Sequence, residues 1–173
     1  MKQLVLKQDE KFEKKLKINS ELVKIINVPF KELRKEIQKS KEKIIVSGGD
    51  EKVNRLAVES KKVDILLSPE LNSKKDSFFV RKSGLNQVLC KLAYENKVAI
   101  GFNFSEILNS KGKERSKILG RMVHNVKMCR KYKVKMIIST FAKDKYELRS
   151  LDALKSFGKV IGMSPDDVKI SFL

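Results

Sequence analysis

The sequence predicts an α/β fold in which parallel strands and helices alternate, with the sheet either open or closed into a barrel. Short apolar runs rich in β-branched residues recur along the chain, and amphipathic helical patterns lie between them. Apolar runs without polar alternation are typical of strands buried on both faces, as in parallel sheets. No linker or strong internal repeat divides the sequence, so we expect residues 1–173 to form a single α/β domain.

Strand candidates can be ranked by how apolar and β-branched they are. The two weaker candidates come first in the chain, and the four stronger ones follow at intervals long enough to hold a helix. The weaker segments are 3–6 and 22–28, and the stronger segments are 43–49, 63–70, 98–104 and 134–140.

Helical periodicity fills the gaps between the later strands. Apolar residues in segments 84–96 and 114–131 recur at three- and four-residue spacing, as on the buried face of a helix. The run Ser164-Pro165-Asp166-Asp167 combines an N-cap, a proline at the first helical position and acidic residues in the first turn, which predicts a short terminal helix. In such folds, binding residues collect just beyond the carboxyl ends of the strands.

Composition indicates a globular protein. The chain has 41% apolar residues and a mean hydropathy of −0.35, and no apolar run approaches the roughly 18 residues that cross a bilayer. The apolar stretch near Met1 is too short for the core of a signal peptide, so we expect an intracellular, cytoplasmic protein. Cys90 and Cys129 have no CxxC partners and lie in helical patterns, which favours buried free thiols.

The formal net charge of +18 implies a polyanionic partner, with nucleic acid favoured over a membrane. Of the 39 basic residues, 32 are Lys and 7 are Arg, and a Lys-rich surface is also found without any such partner. The excess is concentrated in residues 111–145, which hold 12 basic and 2 acidic residues. Charge alone therefore leaves two hypotheses, an RNA-binding protein and a Lys-rich barrel without RNA.

Residues for self-contained catalysis are scarce. His124 is the one histidine, and we expect it on the solvent side of its helix. No cluster of His, Asp and Glu has metal-ligand spacing, and no phosphate-binding or nucleophile motif is present. The glycines at 48–49 favour a turn that ends a strand over a phosphate loop. We therefore predict no catalytic residue and no metal ligand in this chain.

The arginines are more informative because the planar guanidinium suits bidentate phosphate contacts. Arg115 opens a helix on its apolar side, so we expect it to reach a partner or a carboxylate, and a functional contact and a structural ion pair remain equally open. Arg121 and Lys117 project to the outer face of the same helix, where a solvated surface is favoured.

Two further basic groups follow predicted strands. Arg81 and Lys82 lie in a polar loop after Phe78 and Phe79. This aromatic pair suits either stacking on RNA bases or packing on the core as a loop anchor, and we favour the anchor.

The second basic group, Lys143, Lys145 and Arg149, follows the predicted strand at 134–140 and precedes a predicted helix. Three positive charges are therefore expected near one strand end.

These segments carry a family resemblance. The runs VDILLSPE, RKSGLNQVLCKLAYENKVAIGF, the ER that opens the long helix, YKVKMIISTFAKDKYELRS and FGKVIGMSPDDVK resemble archaeal ribonuclease P protein component 3, the p30-type subunit shared with eukaryotic ribonuclease P and MRP. The resemblance covers roughly residues 60–173 and implies an irregular or incomplete TIM-like (β/α) barrel. Related barrels are metallohydrolases that use several histidines, which this chain lacks.

The resemblance also implies a function. The chain would support 5′-end maturation of precursor tRNA as part of the ribonuclease P holoenzyme, an endoribonuclease whose RNA subunit performs the cleavage with Mg²⁺. The chain itself would bind no cofactor. The implied partners are ribonuclease P RNA, a Pop5-type protein subunit and other ribonuclease P proteins, with precursor tRNA contacted indirectly.

The implied RNA- or partner-contact residues are basic and act by position rather than by chemistry. They are Arg81, Lys82, Arg115, Lys143, Lys145 and Arg149. The alternative function is a metal-dependent phosphoesterase on a related barrel, which the single histidine disfavours.

Overall fold

The described part of the chain, residues 2–172 of a computed structural model, contains seven short strands and eight α-helices. The strands are β1 (Gln3–Val5), β2 (Ser20–Leu22), β3 (Ile25–Ile26), β4 (Ile45–Ser47), β5 (Ile65–Leu67), β6 (Ala99–Asn103) and β7 (Met136–Ser139). The helices are α1 (Glu10–Leu16), α2 (Phe30–Lys39), α3 (Glu51–Glu59), α4 (Gln87–Glu95), α5 (Phe104–Asn109), α6 (Gly112–Lys131), α7 (Leu151–Val160) and α8 (Pro165–Ile170). A 3₁₀ turn, Lys145–Glu147, precedes α7.

All strand pairs run parallel, and each strand lies beside its neighbour in sequence. One sheet pairs β1 with β2, and a second has the order β3-β4-β5-β6-β7. The two sheets are connected at two places. At one, β2 leads into β3 after two residues, and at the other, β1 contacts the segment that follows β7. There, Phe141 donates a backbone hydrogen bond to Leu4 at 2.9 Å, and Leu6 donates one to Ala142 at 2.9 Å.

This arrangement confirms the predicted α/β fold of the irregular or incomplete TIM-like type. In the described residues, no paired-strand ladder joins β1 to β7, so the contact between them is made by a few backbone bonds instead. All six predicted strand segments contain strands, and the weak candidate at 22–28 holds the end of β2 and all of β3.

The strands enclose an apolar interior because alternate side chains along each strand point to the same face. The buried members of this cluster come from nearly every strand: Leu4, Val23, Ile45, Ile65, Leu67, Ala99, Ile137 and Phe141. Phe141 adopts a left-handed backbone (φ 45°) just after β7, and its side chain is buried among these residues. The interior is therefore filled by side chains and is not a pore.

A second, larger core lies between the opposite face of the strands and the helices. Val46, Leu66, Ile100 and Ile138 supply strand residues to it, and α3, α4, α6 and α7 cover them. The predicted cap of the terminal helix is confirmed, because the Ser164 side chain accepts a hydrogen bond from the Asp167 amide at 3.1 Å in a capping box. Cys90 and Cys129 are buried free thiols, as predicted.

Candidate RNA and partner interface

A long loop, residues 68–86, follows the carboxyl end of β5 and leads into α4. Arg121 of α6 holds this loop, and its side chain is 1% exposed. Its guanidinium donates to the carbonyls of Glu70 at 2.9 Å and Asn72 at 3.0 Å, and pairs with the Asp76 carboxylate at 2.9 Å. The prediction that Arg121 lies on a solvated face is wrong, because the loop covers that face of α6.

A second contact with α6 lies beneath the loop. Glu70 is fully buried, and burial raises the pKa of its carboxyl to about 8. The Asn125 side-chain amide donates to Glu70 Oε2 at 3.3 Å and to the Ser83 carbonyl at 3.0 Å. The Glu70 carboxyl is therefore mostly protonated at neutral pH, and α6 holds the loop near both of its ends.

Close approach of the chain to itself explains the glycines at the end of β4. Gly49 has φ +117°, and a Cβ there would lie 2.3 Å from the Leu71 carbonyl oxygen. Any side chain at this position would push the β5–α4 loop away from β4. The two glycines therefore end a strand and seat the loop, as predicted, and no phosphate contact is needed to explain them.

Two of the predicted contact residues lie on this loop. The Arg81 guanidinium rests on Gly120 of α6, where an added Cβ would lie 2.0 Å from Arg81 Nη1. The Lys82 amide donates to Asp76 Oδ1 at 2.7 Å, and its carbonyl accepts from the Asn72 side chain at 2.7 Å. Both side chains are exposed. Their backbone is therefore fixed while their charges face solvent.

The other predicted contact residues lie on α6 and on the segment between β7 and α7. The Arg115 side chain donates to the carbonyls of Ser110 at 2.8 Å and Leu108 at 3.2 Å. Arg115 therefore satisfies backbone oxygens at the end of α5. In the described residues it reaches no carboxylate, so the structural ion pair is not formed, whereas the contact with a partner stays a prediction.

The basic segment after β7 is held in a similar way. Arg149 donates to the carbonyls of Tyr146 and Leu148, each at 2.7 Å, and its guanidinium lies 5.8 Å from the centre of the Phe104 ring. Lys143 and Lys145 precede it on the β7–α7 segment, and both are exposed.

The predicted contact residues thus form two groups at one edge of the fold. Arg81 and Lys82 follow β5, whereas Lys143, Lys145 and Arg149 follow β7. Since β6 lies between these strands and adjacent strands are about 4.8 Å apart, the two strand ends are about 10 Å from each other. Contact of these residues with RNA stays a prediction.

Phe78 and Phe79 are not the predicted loop anchor. Their side chains are 96% and 90% exposed, and the two rings contact each other edge to face with centroids 5.0 Å apart. The preference for packing on the core was wrong because the anchoring function belongs to Asp76 and Glu70, two polar residues. The sequence does contain the signal that these side chains lie at the surface, since polar and charged residues flank the apolar run Phe78-Phe79-Val80 on both sides.

His124 lies near this aromatic pair and is partly exposed. Burial, followed by the positive charges of Arg81 and Lys127, lowers the pKa of the imidazole, which is therefore neutral at pH 7. Across residues 2–172, no three His, Cys, Asp or Glu side chains are grouped so as to hold a metal ion. The helices of the same region include none that is long and apolar enough to cross a membrane.

The fold and this edge define a class of protein: a strongly basic α/β barrel in which loops after the strands carry exposed cations. The model of the family described as RNase P subunit p30 matches residues 20–172, and the chain belongs to this family. The match extends the predicted resemblance toward the N-terminus by about 40 residues.

Curated relatives agree with the family. The chain is 40% identical over 146 residues to ribonuclease P protein component 3 of Methanocaldococcus jannaschii, which covers 83% of this chain and 60% of that protein. It is 39% identical over 132 residues to the protein of the same name from Methanosarcina mazei, covering 76% of this chain and 52% of that protein. The chain therefore spans about half to three fifths of the length of these relatives.

A solved structure gives the same result for the fold. The chain is similar to a chain in the cryo-EM structure of archaeal ribonuclease P with mature tRNA, with a TM-score of 0.75 and 30% sequence identity. The likeness covers 99% of this chain and 75% of that chain. The residues before about 60, which the sequence resemblance did not cover, are thus largely included in the shared fold.

Proposed function

We propose that this protein is a subunit of the ribonuclease P ribonucleoprotein and that it supports removal of the 5′ leader from precursor tRNA. The observation that carries the proposal is the likeness of nearly the whole chain to a chain of archaeal ribonuclease P with mature tRNA. Residues 1–173 act as one domain in this role, and the work takes place in the cytoplasm.

The chain contributes by binding and positioning RNA. The exposed cations on the β5–α4 loop and the β7–α7 segment bind phosphates, and their backbones are held by the hydrogen bonds described above. Lys contributes a point charge, whereas the planar guanidiniums of Arg81 and Arg149 fix orientation. Arg115 supports the second group by holding the end of α5.

Cleavage itself is assigned to the RNA subunit with Mg²⁺, and this chain binds no cofactor. The described residues offer no group of three His, Cys, Asp or Glu side chains that could hold a metal ion. The remaining partners are a Pop5-type protein subunit and other ribonuclease P proteins, and precursor tRNA is contacted indirectly.

Reconstitution tests this proposal. The full chain is combined with ribonuclease P RNA and the other protein subunits, and cleavage of precursor tRNA is followed at moderate salt. Cleavage should require the RNA and should be slower when this chain is omitted. The variant pair Arg81→Gln and Arg149→Gln should weaken it, while the exposed Arg55→Gln on α3 serves as the matched control. A mixture that is equally active without the chain would refute the proposal.

A further inference from the structure

The exposed tip of the β5–α4 loop is a built feature of the fold. The Ser77 amide donates to the Val80 carbonyl at 2.9 Å, and the Val80 amide donates to Ser77 Oγ at 3.0 Å. These bonds close a four-residue turn whose two central residues are Phe78 and Phe79. Asp76, directly before the turn, is tied to Arg121, so the tip stands on a fixed base.

Holding these rings in water is costly. Burying a Phe side chain stabilises a protein by about 1.5–3 kcal/mol, and neither ring gains this in the isolated chain. Val80 is also 52% exposed, so three consecutive apolar side chains face solvent. Contiguous exposed apolar surface on an ordered loop is typical of a binding site.

A cleft of about 730 Å³ lies beside the tip, bounded by the loop, the start of α4 and the middle of α6. Its apolar surface includes the two Phe rings, and its polar surface includes Arg81, Asn86 and Gln87. Asn86 caps α4 through Oδ1, which accepts from the Leu89 amide at 2.9 Å, so its side-chain NH₂ group is left to donate elsewhere.

The charge of the cleft is positive. Its carboxylate, Asp76, is neutralised by Arg121. Arg81 has no ion-pair partner among the described residues, and the exposed Lys82 follows it. A cationic cleft with aromatic faces and side-chain amides is complementary to a nucleotide, because its base stacks, its edge forms hydrogen bonds and its phosphate binds the guanidinium.

We propose that this cleft binds an unpaired nucleotide of RNA, with the base stacked on the Phe78–Phe79 tip and the phosphate held by Arg81. The assignment rests on the proposed function and names the RNA element that this surface reads, a single strand rather than a duplex. An apolar protein segment is the competing occupant, but it would leave Arg81 and the amides of Asn86 and Gln87 unused.

Binding of the full chain to RNA of two forms tests the assignment. Fluorescence anisotropy compares a single-stranded RNA of about 12 nucleotides with a fully paired duplex of the same length. Base–aromatic stacking contributes about 1–3 kcal/mol per base, so the double variant Phe78→Ala/Phe79→Ala should bind the single strand about 10-fold more weakly. Its affinity for the duplex, and the salt dependence of both, should stay the same because no charge is lost.

Controls separate stacking from general apolar loss. Val160→Ala removes a 70% exposed side chain on α7 and should leave both affinities unchanged. The double variant Phe78→Tyr/Phe79→Tyr keeps the aromatic faces and should retain single-strand binding. Since both Phe side chains are solvent-exposed, thermal unfolding of all these variants should match that of the original chain.

Each further outcome has a definite meaning. Unchanged single-strand affinity in the Ala variant, or an equal loss on both RNAs, overturns the stacking assignment while leaving the proposed function intact. Loss of a Pop5-type partner in pull-down, with RNA affinity unchanged, also overturns it by making the tip a protein interface. If the original chain binds neither RNA and is dispensable for cleavage, the proposed function itself fails.

Discussion

The buried carboxyl of Glu70 should make the stability of the chain fall as the pH rises. Its pKa is about 8 in the folded chain against an ordinary value of 4.5, chiefly because burial opposes ionisation. A group that binds its proton more tightly in the folded state stabilises the fold fully at a pH below its pKa in the unfolded chain. This stabilisation is lost as the pH rises through the pKa of the group in the folded chain. The sensitive window is thus about pH 5 to pH 8.

The magnitude follows from the size of the shift. At about 1.4 kcal/mol per pKa unit, the full shift from 4.5 to about 8 corresponds to about 5 kcal/mol. Between pH 5 and pH 8, which leaves out the two ends of the titration, the free energy of unfolding should decrease by about 3.5 kcal/mol through Glu70 alone. Glu70→Gln has nearly the same shape and cannot ionise, and its amide oxygen can still accept the hydrogen bond from Asn125. This variant should match the original chain near pH 5 and exceed it by about 3.5 kcal/mol near pH 8.

Urea unfolding at several pH values measures the difference. Glu95→Gln changes an exposed residue on α4 and should follow the original chain at every pH. Other titrating groups are common to all three proteins, so the comparison isolates Glu70. Parallel curves for the original chain and Glu70→Gln would show that the carboxyl is not held protonated and would refute the reasoning.

Three other perturbations have expected outcomes. Arg121→Ala removes the side chain that holds the β5–α4 loop and should cost about 3–5 kcal/mol in urea unfolding, whereas the exposed Arg34→Ala should change stability by less than about 0.5 kcal/mol. Gly120→Ala should displace the guanidinium that rests on it and weaken RNA binding with no change in net charge, as anisotropy would detect. The double variant Lys143→Gln/Lys145→Gln should reduce the slope of log affinity against log salt by about 1.5, and an unchanged slope would exclude phosphate contacts there.

The sequence predicts the strands well because the strands of a parallel sheet are buried on both faces. The segments containing Ile45, Ile65, Ile100 and Ile137 are apolar without alternation, and this property does not depend on which strands pair. The cap at Ser164 is predicted for the same reason, since all of its partners lie within three residues.

The anchoring of the β5–α4 loop could not be predicted in this way. Arg121 contacts Glu70 and Asp76, which precede it by about 50 residues. Helical periodicity places Arg121 on the solvent side of α6, because the periodicity contains no information on a distant loop that covers this face. Phe78 was misassigned for the reverse reason. The hydrophobicity of a side chain predicts that it is buried. It does not tell whether the core of the same chain or a partner molecule buries it.

The bonds between β1 and the segment after β7 also constrain the order of folding. The Leu4 backbone also forms two hydrogen bonds with the hydroxyl of Ser139, the last residue of β7, which lies 135 residues away in sequence. Contacts of such long sequence separation form late, because the loop between them must be ordered first. β1 has only β2 to pair with until β7 and the segment after it are in place. The edge of β1 that faces β7 therefore stays open to other strands until that contact forms.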